Sequence, residues 1–511
     1  KQQTMVVVHD CIIIGAGAAG IGAARYWLDH KPERPTIVLE ARDRIGGRIF
    51  KACHPSIIPN NTNVDLGANW IHDLTDENSW FVLAKERFQF DLHETSSDDE
   101  PDPKDVVLFD SDRRVIPADE FQSFATTLRQ ARQYLIDVFE EETNEKVMAA
   151  LKNKTVEEAL YLILKHKFDI NLNQQHSNKN KWCRKELMMR WFLDRISINQ
   201  AASTKSLNAK NWGELGEDAP SGEALISKGG MGSMLEKLAE GIDVRKRHVV
   251  TKIEKTENNL ISIKGYFYDK NVDASSTTPP PPVLKEEFDF VTRSCVVTAP
   301  PSVLKQETGI ISFEPALSQE KMEAYEKAEM GILNLVILAF DVPFWPEDKN
   351  FIGLSMPHGS FRIPGQNEDV SGFSVFCNMM PTKGHPMLMG QVFGPFAEYL
   401  ETLTDKQVTD LAMKAIRGGA FPDAPDPVGL CVRSKWRSDP YARGSYFVSG
   451  FKESTVDLCD IMAESQWDGT LRFAGEATNE DWYGLVSGAW DSGKREARQL
   501  LESDLFQQKD R

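Results

Sequence analysis

The sequence predicts a mixed α/β fold in which parallel-sheet units alternate with helical and sheet-rich blocks. Three segments combine apolar strand signals with a helical stretch, at residues 11–40, 229–300 and 471–500. Residues from about 117 to 170 are helical instead, because their apolar side chains recur at spacings of three and four. Since the α/β units are separated by the other blocks, we expect two interleaved domains.

The first unit begins with a buried strand and a glycine-rich turn. The apolar runs Met5–Val8 and Cys11–Ile14 precede the turn, and an alanine-rich, helix-competent stretch follows it. In the pattern Gly15-x-Gly17-x-x-Gly20, the first glycine permits the tight turn and the second lets the backbone approach a pyrophosphate. The third lets the helix pack on the strand. The helix N-terminus then faces the phosphates, so the unit predicts a dinucleotide site.

The second strand of this unit ends in an acid. The apolar run from Thr36 to Leu39 is followed by Glu40, whose carboxylate is placed to bond a ribose hydroxyl. The glycine pattern is weak evidence alone, but a strand before it, a helix after it and this acid make it specific. A glycine-rich turn without a ligand is the alternative interpretation.

The remaining elements follow from periodicity and from breaker residues. Residues 94–105 are acidic with two prolines and predict a solvated loop, while the asparagine-rich 171–182 and the proline-rich 272–285 predict two more. Further helices are expected at 184–200, 234–239 and 485–502, and one more is expected to begin at Ser302. Strands are expected within 243–268, at 332–340 and within 371–395. One further strand is expected to end at Thr298 and another to begin at Leu471.

Composition and charge exclude several classes of protein. Hydrophobic residues make up 41% and charged residues 26% of the 511, as in globular proteins and unlike disordered or fibrous chains. The 59 basic and 76 acidic residues leave a net charge of −17, which argues against nucleic acid or an anionic membrane as a partner. No apolar run reaches about 18 residues, so we expect no membrane span. The seven cysteines lack zinc or CxxC spacing, and we expect no metal site.

The compartment and the oligomeric state are left open. The sequence starts without a signal peptide and ends Gln-Lys-Asp-Arg, which is not a peroxisomal address, so cytoplasmic and secreted locations are both expected alternatives. Monomer and homodimer are likewise both open.

Further motifs are distributed along the chain. Ala41–Arg48 holds a diglycine that allows close approach to a ligand and an arginine that can meet a phosphate or a flavin. Asp65–His72 reads Asp-Leu-Gly-Ala-Asn-Trp-Ile-His, and Trp436–Tyr446 ends in an aromatic residue. Phe473–Thr478 and the small-residue segment Ser487–Gly493 follow. In this order the motifs resemble the FAD-dependent amine oxidase family, which covers monoamine, polyamine and L-amino-acid oxidases.

The resemblance extends over residues 11–495 and implies the domain arrangement. It implies a Rossmann-like FAD-binding domain of the amine-oxidase type, interleaved with a substrate-binding domain of mixed sheet flanked by helices. The FAD-binding domain is expected at 1–94, 225–320 and 436–511. The substrate-binding domain is expected at 95–224 and 321–435.

The resemblance also implies the cofactor and the residues that contact it. FAD is expected to be non-covalent, because Ser445 stands where monoamine oxidases carry the cysteine that bonds to the flavin. The residues expected at FAD are Gly15, Gly17, Ala18, Ala19, Gly20, Glu40, Ala41, Arg42, Gly47, Arg48, Gly67, Ala68, Asn69, Trp70, Val250, Trp436, Gly475, Glu476, Leu485 and Val486.

Within the family, the motifs are most similar to those of polyamine oxidases. His72 falls where animal polyamine oxidases carry a substrate-site histidine, although a histidine that only packs in the core is the alternative. Trp436–Tyr446 resembles the spermine-oxidase version, which implies that Tyr446 lies at the substrate face of the flavin. An L-amino-acid oxidase is disfavoured, because Asn69-Trp70 stands where those enzymes carry a carboxylate-binding arginine.

Two positions depart from the family pattern. The family strand before Phe344-Trp345 carries a lysine that holds a water on the flavin, whereas an ungapped match puts Leu335 there. Leucine cannot donate a hydrogen bond, and a one-residue bulge would instead bring Asn334 to that position. Leu485 stands where monoamine and plant polyamine oxidases carry a tyrosine, so Tyr446 is expected to be the aromatic wall of the amine site.

The resemblance implies oxidation of a polyamine (spermine, spermidine or an N-acetylated form) at a secondary amine. The expected reaction is hydride transfer to FAD, hydrolysis of the imine to an aldehyde and an amine, and reoxidation by dioxygen to hydrogen peroxide. His72, Tyr446, Asn334 and Leu335 are the expected substrate-side residues. Two alternatives stay open, an oxidase or dehydrogenase of another amine and a flavin-binding protein of low turnover. The leucine in the lysine position favours both of them.

Overall fold

The structure of the protein is a computed structural model. It describes residues 7–34, 36–54, 62–96, 101–140, 144–172, 183–213, 222–268, 286–355, 357–451 and 453–507. Most of the loop predicted at 171–182, all of that at 272–285 and residues 97–100 of the acidic segment lie outside these residues.

The described residues form strands and helices throughout the chain. The strands are β1 Val8–Ile14, β2 Ile37–Leu39, β3 Lys51–Cys53, β4 Asn63–Asp65, β5 Trp70–His72, β6 Leu92–Thr95, β7 Val106–Phe109, β8 Glu223–Ile226, β9 Asp243–Arg245, β10 His248–Lys255, β11 Ile261–Phe267, β12 Glu286–Val297, β13 Ser312–Glu314, β14 Leu333–Ala339, β15 Phe351–Leu354, β16 Ser360–Phe361, β17 Val370–Ser371, β18 Val375–Asn378, β19 Met387–Phe393, β20 Val432–Arg433 and β21 Leu471–Phe473. The helices are α1 Ala18–His30, α2 Ser79–Val82, α3 Ala118–Glu140, α4 Glu145–Leu151, α5 Val156–Lys167, α6 Arg184–Asn199, α7 Ala209–Gly213, α8 Gly230–Leu238, α9 Pro301–Leu304, α10 Gln319–Lys327, α11 Met380–Lys383, α12 Gly394–Glu401, α13 Asp405–Gly419, α14 Leu458–Ala463, α15 Val486–Glu502 and α16 Asp504–Gln507.

The larger sheet has its parallel strands at the centre. Its order is β13-β10-β11-β12-β1-β2-β9, with β21 paired to β12, and the neighbours β21, β12, β1, β2 and β9 are parallel. Cys11 and Ile13 of β1 pack into a core with α1, α8 and α15, whereas Ile12 and Ile14 pack against β10, β11, α10 and α14. Because both faces are covered, β1 reads as a continuous apolar run rather than an alternating one.

The second sheet is mixed and has six strands in the order β20-β14-β19-β18-β15-β7. Only β15 and β7 pair in parallel among its neighbours, and the other pairs are antiparallel. One face packs against α3, α5 and α6, and the other packs against α12 and α13. A three-stranded sheet, β5-β8-β6, lies apart from both and carries His72.

The mixed α/β fold is confirmed, as is the long helical block. The predicted apolar stripe of α3 is buried, including Phe121, Phe124 and Leu128. Three details differ from expectation: Glu94 and Thr95 lie within β6 rather than in a loop, α8 begins at Gly230 rather than at residue 234, and α9 begins at Pro301 rather than Ser302. Proline at a first helical position costs no hydrogen bond, because that N–H has no partner inside the helix.

The two large sheets draw on alternating parts of the chain. The eight-stranded sheet takes strands from residues 8–39, 243–314 and 471–473, and the six-stranded sheet from 106–109, 333–393 and 432–433. Each segment falls inside the range predicted for the corresponding domain, while the domain boundaries themselves stay a prediction. Among the described residues, no helix is both long and apolar enough to cross a membrane.

Candidate functional site

A cavity of about 1350 Å³ is lined by residues of both large sheets. Ile14 and Leu39, which end β1 and β2, lie in its wall, and so do Leu333 and Leu335 of β14. The carboxyl ends of parallel strands are where open α/β sheets bind ligands. All of the predicted cofactor and substrate residues line this cavity except Gly20 and Asn334.

The glycine turn has the geometry of a phosphate cradle. Gly15 adopts φ 101°, and its N–H donates to the carbonyl of Leu39 at 2.8 Å. A Cβ on Gly20 would lie 1.8 Å from Gly15 O, so a larger residue there would push α1 off the turn. Gly20 therefore allows α1 to pack on the turn, although it does not itself line the cavity. A Cβ on Gly17 would instead make only an ordinary contact, with Gly46 O at 3.7 Å as its nearest neighbour beyond the adjoining residues.

Glu40 is fixed at the cavity by backbone donors. Its Oε2 accepts from the N–H of Ala16 and its Oε1 from the N–H of Arg42, both at 2.8 Å. The Arg42 guanidinium in turn donates to Asp439 Oδ1 at 2.6 Å. A carboxylate oxygen has a second lone pair beyond the one used here, so Glu40 can also accept from ribose hydroxyls.

A second buried carboxylate joins distant parts of the chain at the cavity. Arg48 Nη1 donates to Glu476 Oε1 at 2.7 Å and to the carbonyl of Ser445 at 3.1 Å. Glu476 Oε2 accepts from the N–H of Gly484 at 2.8 Å. Glu476 therefore sets the position of Arg48 and of the loop that leads into α15.

Two helices begin at the cavity without side-chain caps from the described residues. Ala18 and Ala19 open α1, and Val486 opens α15 after Leu485; all four line the cavity. The first N–H groups of a helix have no partner inside it and carry partial positive charge. Both starts therefore suit negatively charged parts of a ligand, such as a pyrophosphate.

Aromatic side chains form another part of the wall. The hydroxyl of Tyr446 donates to the carbonyls of Ile198 at 3.0 Å and Asn199 at 2.7 Å, which ties the ring to the end of α6. Burial raises the pKa of Tyr446 well above its usual value, so the phenol stays neutral. Trp70 donates from its indole N–H to Thr95 Oγ1 at 3.1 Å. Both rings are therefore held in fixed orientations.

His72 is held by an acid that the sequence analysis missed. It lies opposite Glu223 in the pairing of β5 with β8, and its Nδ1 is 2.8 Å from Glu223 Oε1. The Glu223 side chain is 3% exposed and that of His72 28%. A carboxylate at Nδ1 favours a proton on that nitrogen and fixes the orientation of the imidazole ring. Burial lowers the pKa of Arg195 to about 10, and the nearby negative charge of Glu223 acts in the opposite direction.

Acidic side chains lie where the cavity opens to solvent. Asp76 and Glu77 follow β5, and Glu480 and Asp481 precede α15; all four line the cavity and are exposed. They were missed because exposed acids are common on a chain of net charge −17 and carry no local pattern. None of the described residues of the acidic segment 94–105 lines the cavity.

Asn334 and Leu335, the two residues considered for the lysine position of the family, face opposite sides of β14. The pairing of β14 with β19 runs without a bulge from Leu333 to Ala339, so Leu335 lines the cavity and Asn334 faces the other way. Asn334 Nδ2 donates to Glu401 Oε1 at 2.8 Å, and its Oδ1 accepts from the N–H of Trp436. The expectation that a bulge brings Asn334 to the cavity is therefore wrong, because these bonds hold its side chain on the opposite face of the sheet.

The residues present fit a dinucleotide cofactor, and the fold with this site defines a nucleotide-dependent α/β protein. The chain belongs to the family of flavin containing amine oxidoreductases, whose family model matches residues 18–501. Its cofactor is accordingly FAD. Groups of three or more His, Cys, Asp or Glu side chains that would suit a metal ion are not found in the described parts of the chain.

Several relatives match over nearly the full chain. Polyamine oxidase 2 of Arabidopsis thaliana is 29% identical, over 97% of this chain and 90% of the relative. Polyamine oxidase 4 of Oryza sativa subsp. japonica is 28% identical, over 97% and 89%. Lysine-specific histone demethylase 2 of Homo sapiens is 27% identical, over 96% of this chain but 53% of the relative. The chain is thus similar to enzymes named for two different classes of amine.

Proposed function

We propose that the protein oxidises a polyamine (spermine, spermidine or an N-acetylated form) at a secondary amine. The observation that carries the proposal is the charge arrangement of the cavity, with exposed acids at the opening and the His72–Glu223 pair in its wall. A polyamine carries several positive charges along a flexible chain, and acids at an opening attract such a ligand. The names of the plant relatives support the same substrate class.

The cofactor end of the cavity is assigned to the motif residues. In this proposal Gly15, Gly17 and the start of α1 hold the pyrophosphate, and Glu40 binds the ribose. FAD, when bound, takes up the hydride that leaves the carbon beside the reacting nitrogen. Binding without a covalent bond is supported by Ser445, whose hydroxyl accepts from Leu333 N–H at 2.8 Å and donates to Leu333 O at 3.0 Å. A hydroxyl engaged in this way positions the strand and does not attack a ligand.

The chain's own groups bind and orient the amine. The exposed acids hold distal ammonium groups, and the faces of Tyr446 and Trp70 tolerate a nearby cation. His72, whose Nδ1 lies 2.8 Å from Glu223 Oε1, contributes its imidazole to the cavity wall beside the substrate. The imine product then reacts with water to form an aldehyde and an amine, and the electrons pass to dioxygen to form hydrogen peroxide.

Anaerobic titration of the purified yellow protein with spermine tests this proposal. Prompt bleaching of the flavin absorbance at substoichiometric to stoichiometric spermine is expected. Bleaching by a monoamine or by a peptide containing N-methyllysine, but not by spermine, would show that the substrate is another amine. Absence of bleaching with every amine would show a flavoprotein of low turnover.

The second candidate, an amine dehydrogenase rather than an oxidase, is favoured by one observation. Leu335 occupies the cavity wall at the position where the family carries lysine, and it offers no hydrogen bond. Readmitting air to the bleached protein distinguishes the two. Peroxide formed as fast as spermine bleaches the flavin supports the oxidase. Slow peroxide formation that Leu335→Lys accelerates would support the dehydrogenase.

Neutralising the acids at the opening is expected to weaken polyamine binding. Each of Asp76→Asn, Glu77→Gln, Glu480→Gln and Asp481→Asn should raise KM for spermine by about 1.5- to fivefold, since an exposed charge pair contributes about 0.2–1 kcal/mol. The effect should shrink with added salt and should be smaller for a monoamine. Steady-state kinetics with both amines at two ionic strengths measure it.

Exposed acids outside the cavity provide the control for this prediction. Glu257→Gln and Asp423→Asn remove the same charge from positions that do not line the cavity. They should leave KM for spermine within error of the unmodified protein. If the variant lacking all four acids at the opening has an unchanged KM, the opening does not bind the substrate.

A further inference from the structure

Three buried carboxylates among the described residues line the cavity, and they differ in their partners. Glu40, Glu223 and Glu476 are 3%, 3% and 4% exposed. Glu40 accepts hydrogen bonds from two backbone N–H groups. Glu476 is paired with Arg48 and also accepts from the N–H of Gly484. The protein itself therefore compensates the negative charge of Glu40 and of Glu476.

Glu223 has fewer partners than the other two carboxylates. Its Oε1 lies 2.8 Å from His72 Nδ1, which is the one hydrogen bond of this carboxylate within the described parts of the chain. No lysine or arginine nitrogen of those parts lies within 4.0 Å of it. Its Oε2 has no hydrogen-bond partner there and is not closed off from solvent. Burying a carboxylate is costly unless it is paired, so this oxygen indicates a cationic ligand in the cavity.

Strand pairing directs the Glu223 side chain to the cavity. His72, Glu223 and Thr95 form one row across the sheet β5-β8-β6, and Trp70 lies on the same face, two residues before His72. Trp70, His72 and Glu223 all line the cavity. The carboxylate therefore shares a wall with an indole ring, whose face also tolerates a cation.

The charge of Glu223 decides which nitrogen of a polyamine suits it. A carboxylate within hydrogen-bond reach of an amine favours the protonated form and raises the pKa of that nitrogen. The reacting nitrogen has to be neutral, because hydride leaves the carbon beside it. The nitrogen that Glu223 binds is therefore a second one, which stays protonated during the reaction.

We propose that Glu223 Oε2 binds a second, protonated nitrogen of the substrate and that this contact selects polyamines over monoamines. The inference rests on the proposed function, because it takes the substrate to be a polyamine. A monoamine has no second nitrogen to place at Glu223, so it leaves the buried carboxylate with His72 as its partner. A polyamine brings the missing positive charge into the cavity.

Ligand binding to the holoenzyme tests this contact without turnover. 1,8-Diaminooctane carries two ammonium groups at neutral pH, and 1,8-octanediol has the same length and no charge. Glu223→Gln keeps the shape of the side chain and removes its charge. It should weaken binding of the diamine by about ten- to 150-fold, the value of a hydrogen bond between charged groups, and change that of the diol by less than about twofold. Calorimetric titration measures both dissociation constants.

A double-mutant cycle with His72 separates binding of the substrate from positioning of the imidazole. If Glu223 contacts the ligand, Glu223→Gln still weakens diamine binding in a protein that already carries His72→Asn. If Glu223 acts only by holding His72, the exchange has no further effect in that background, and the proposal is overturned.

Two further variants complete the test. Glu94→Gln makes the same exchange on the opposite face of this sheet, at an exposed position outside the cavity, and should change neither constant. Glu223→Asp keeps the charge and withdraws the carboxylate by one methylene, so it serves if Glu223→Gln does not fold. It should weaken the diamine by at least about threefold and spare the diol.

The outcomes separate this inference from the proposed function. If spermine fails to bleach the unmodified protein, the proposed function is wrong, and the diamine titration still reports on Glu223. If spermine bleaches it while both Glu223 variants bind the diamine with unchanged affinity, the inference alone is overturned. Equal weakening of the diamine and the diol would also overturn it, because that result indicates a packing role.

Discussion

Gly17→Ala is expected to abolish most FAD binding while leaving the apoprotein as stable as before. Gly17 lines the cavity and adopts φ −77° and ψ −173°, which alanine tolerates, and a Cβ there would meet only Gly46 O, at 3.7 Å. The new methyl group would occupy space that the pyrophosphate needs. Forcing one extra carbon into a filled site costs about 1–3 kcal/mol, which corresponds to a roughly five- to 150-fold loss of affinity.

The measurement combines FAD titration of apoprotein with thermal unfolding. Flavin fluorescence quenching gives the dissociation constant, and the apoprotein melting temperature reports the fold. Gly20→Ala is the matched contrast, because its Cβ would lie 1.8 Å from the Gly15 carbonyl oxygen and must displace α1. That variant should lose both stability and FAD binding. Unchanged affinity in Gly17→Ala would mean that the turn does not hold the cofactor.

Asp65→Asn is expected to destabilise the folded protein by about 3–5 kcal/mol, because it leaves a buried lysine without its countercharge. Lys383 Nζ lies 3.8 Å from Asp65 Oδ2, and the two side chains are 2% and 5% exposed. Asp65 also accepts from the N–H groups of Met231 and Gly232 at the start of α8. Burial raises the pKa of Asp65 and lowers that of Lys383, so the charged state of each depends on the other.

The destabilisation should depend on pH with a defined sign. In Asp65→Asn the pKa of folded Lys383 falls further below its unfolded value, so the unfolded chain binds more protons than the folded one. Stability then rises with pH towards the unfolded lysine pKa. Urea unfolding at pH 6 and pH 9 should therefore show the larger loss at pH 6.

A double-mutant cycle identifies the cause. Lys383→Met combined with Asp65→Asn replaces the ion pair by neutral residues of similar size, and it should recover most of the lost stability. If the two single variants add without recovery, the pair does not interact in the folded protein, and the loss has another source.

The cofactor half of the fold could be predicted because its signals are local. In the turn from Gly15 to Gly20, Gly15 has a positive φ and Gly20 packs closely against the carbonyl oxygen of Gly15. Few amino acids other than glycine satisfy these two requirements. The strand, turn, helix and acid of residues 11–40 form one unit with its own hydrophobic pattern. For the same reason the buried stripe of α3 could be predicted from spacing alone.

Predictions were less complete where partners come from distant parts of the chain. His72 was singled out, but Glu223, 151 residues away, was not, because only the pairing of β5 with β8 brings them together. Asn334 and Leu335 are neighbours in sequence, and strand register decides which of them faces the cavity. Gln391, the one polar side chain in the apolar run Met387–Phe393, also lines the cavity and was not predicted.

The sequence by itself therefore determined the fold class, the dinucleotide turn and the family of this protein. Backbone conformation and hydrophobic periodicity depend on residue types that lie within a few positions of one another in the sequence. Only the tertiary structure decided which side chains line the cavity. The pairing of strands that are far apart in sequence sets which face of a sheet each side chain occupies. A shift of one residue in the register of β14 and β19 would turn Leu335 or Gln391 out of the cavity.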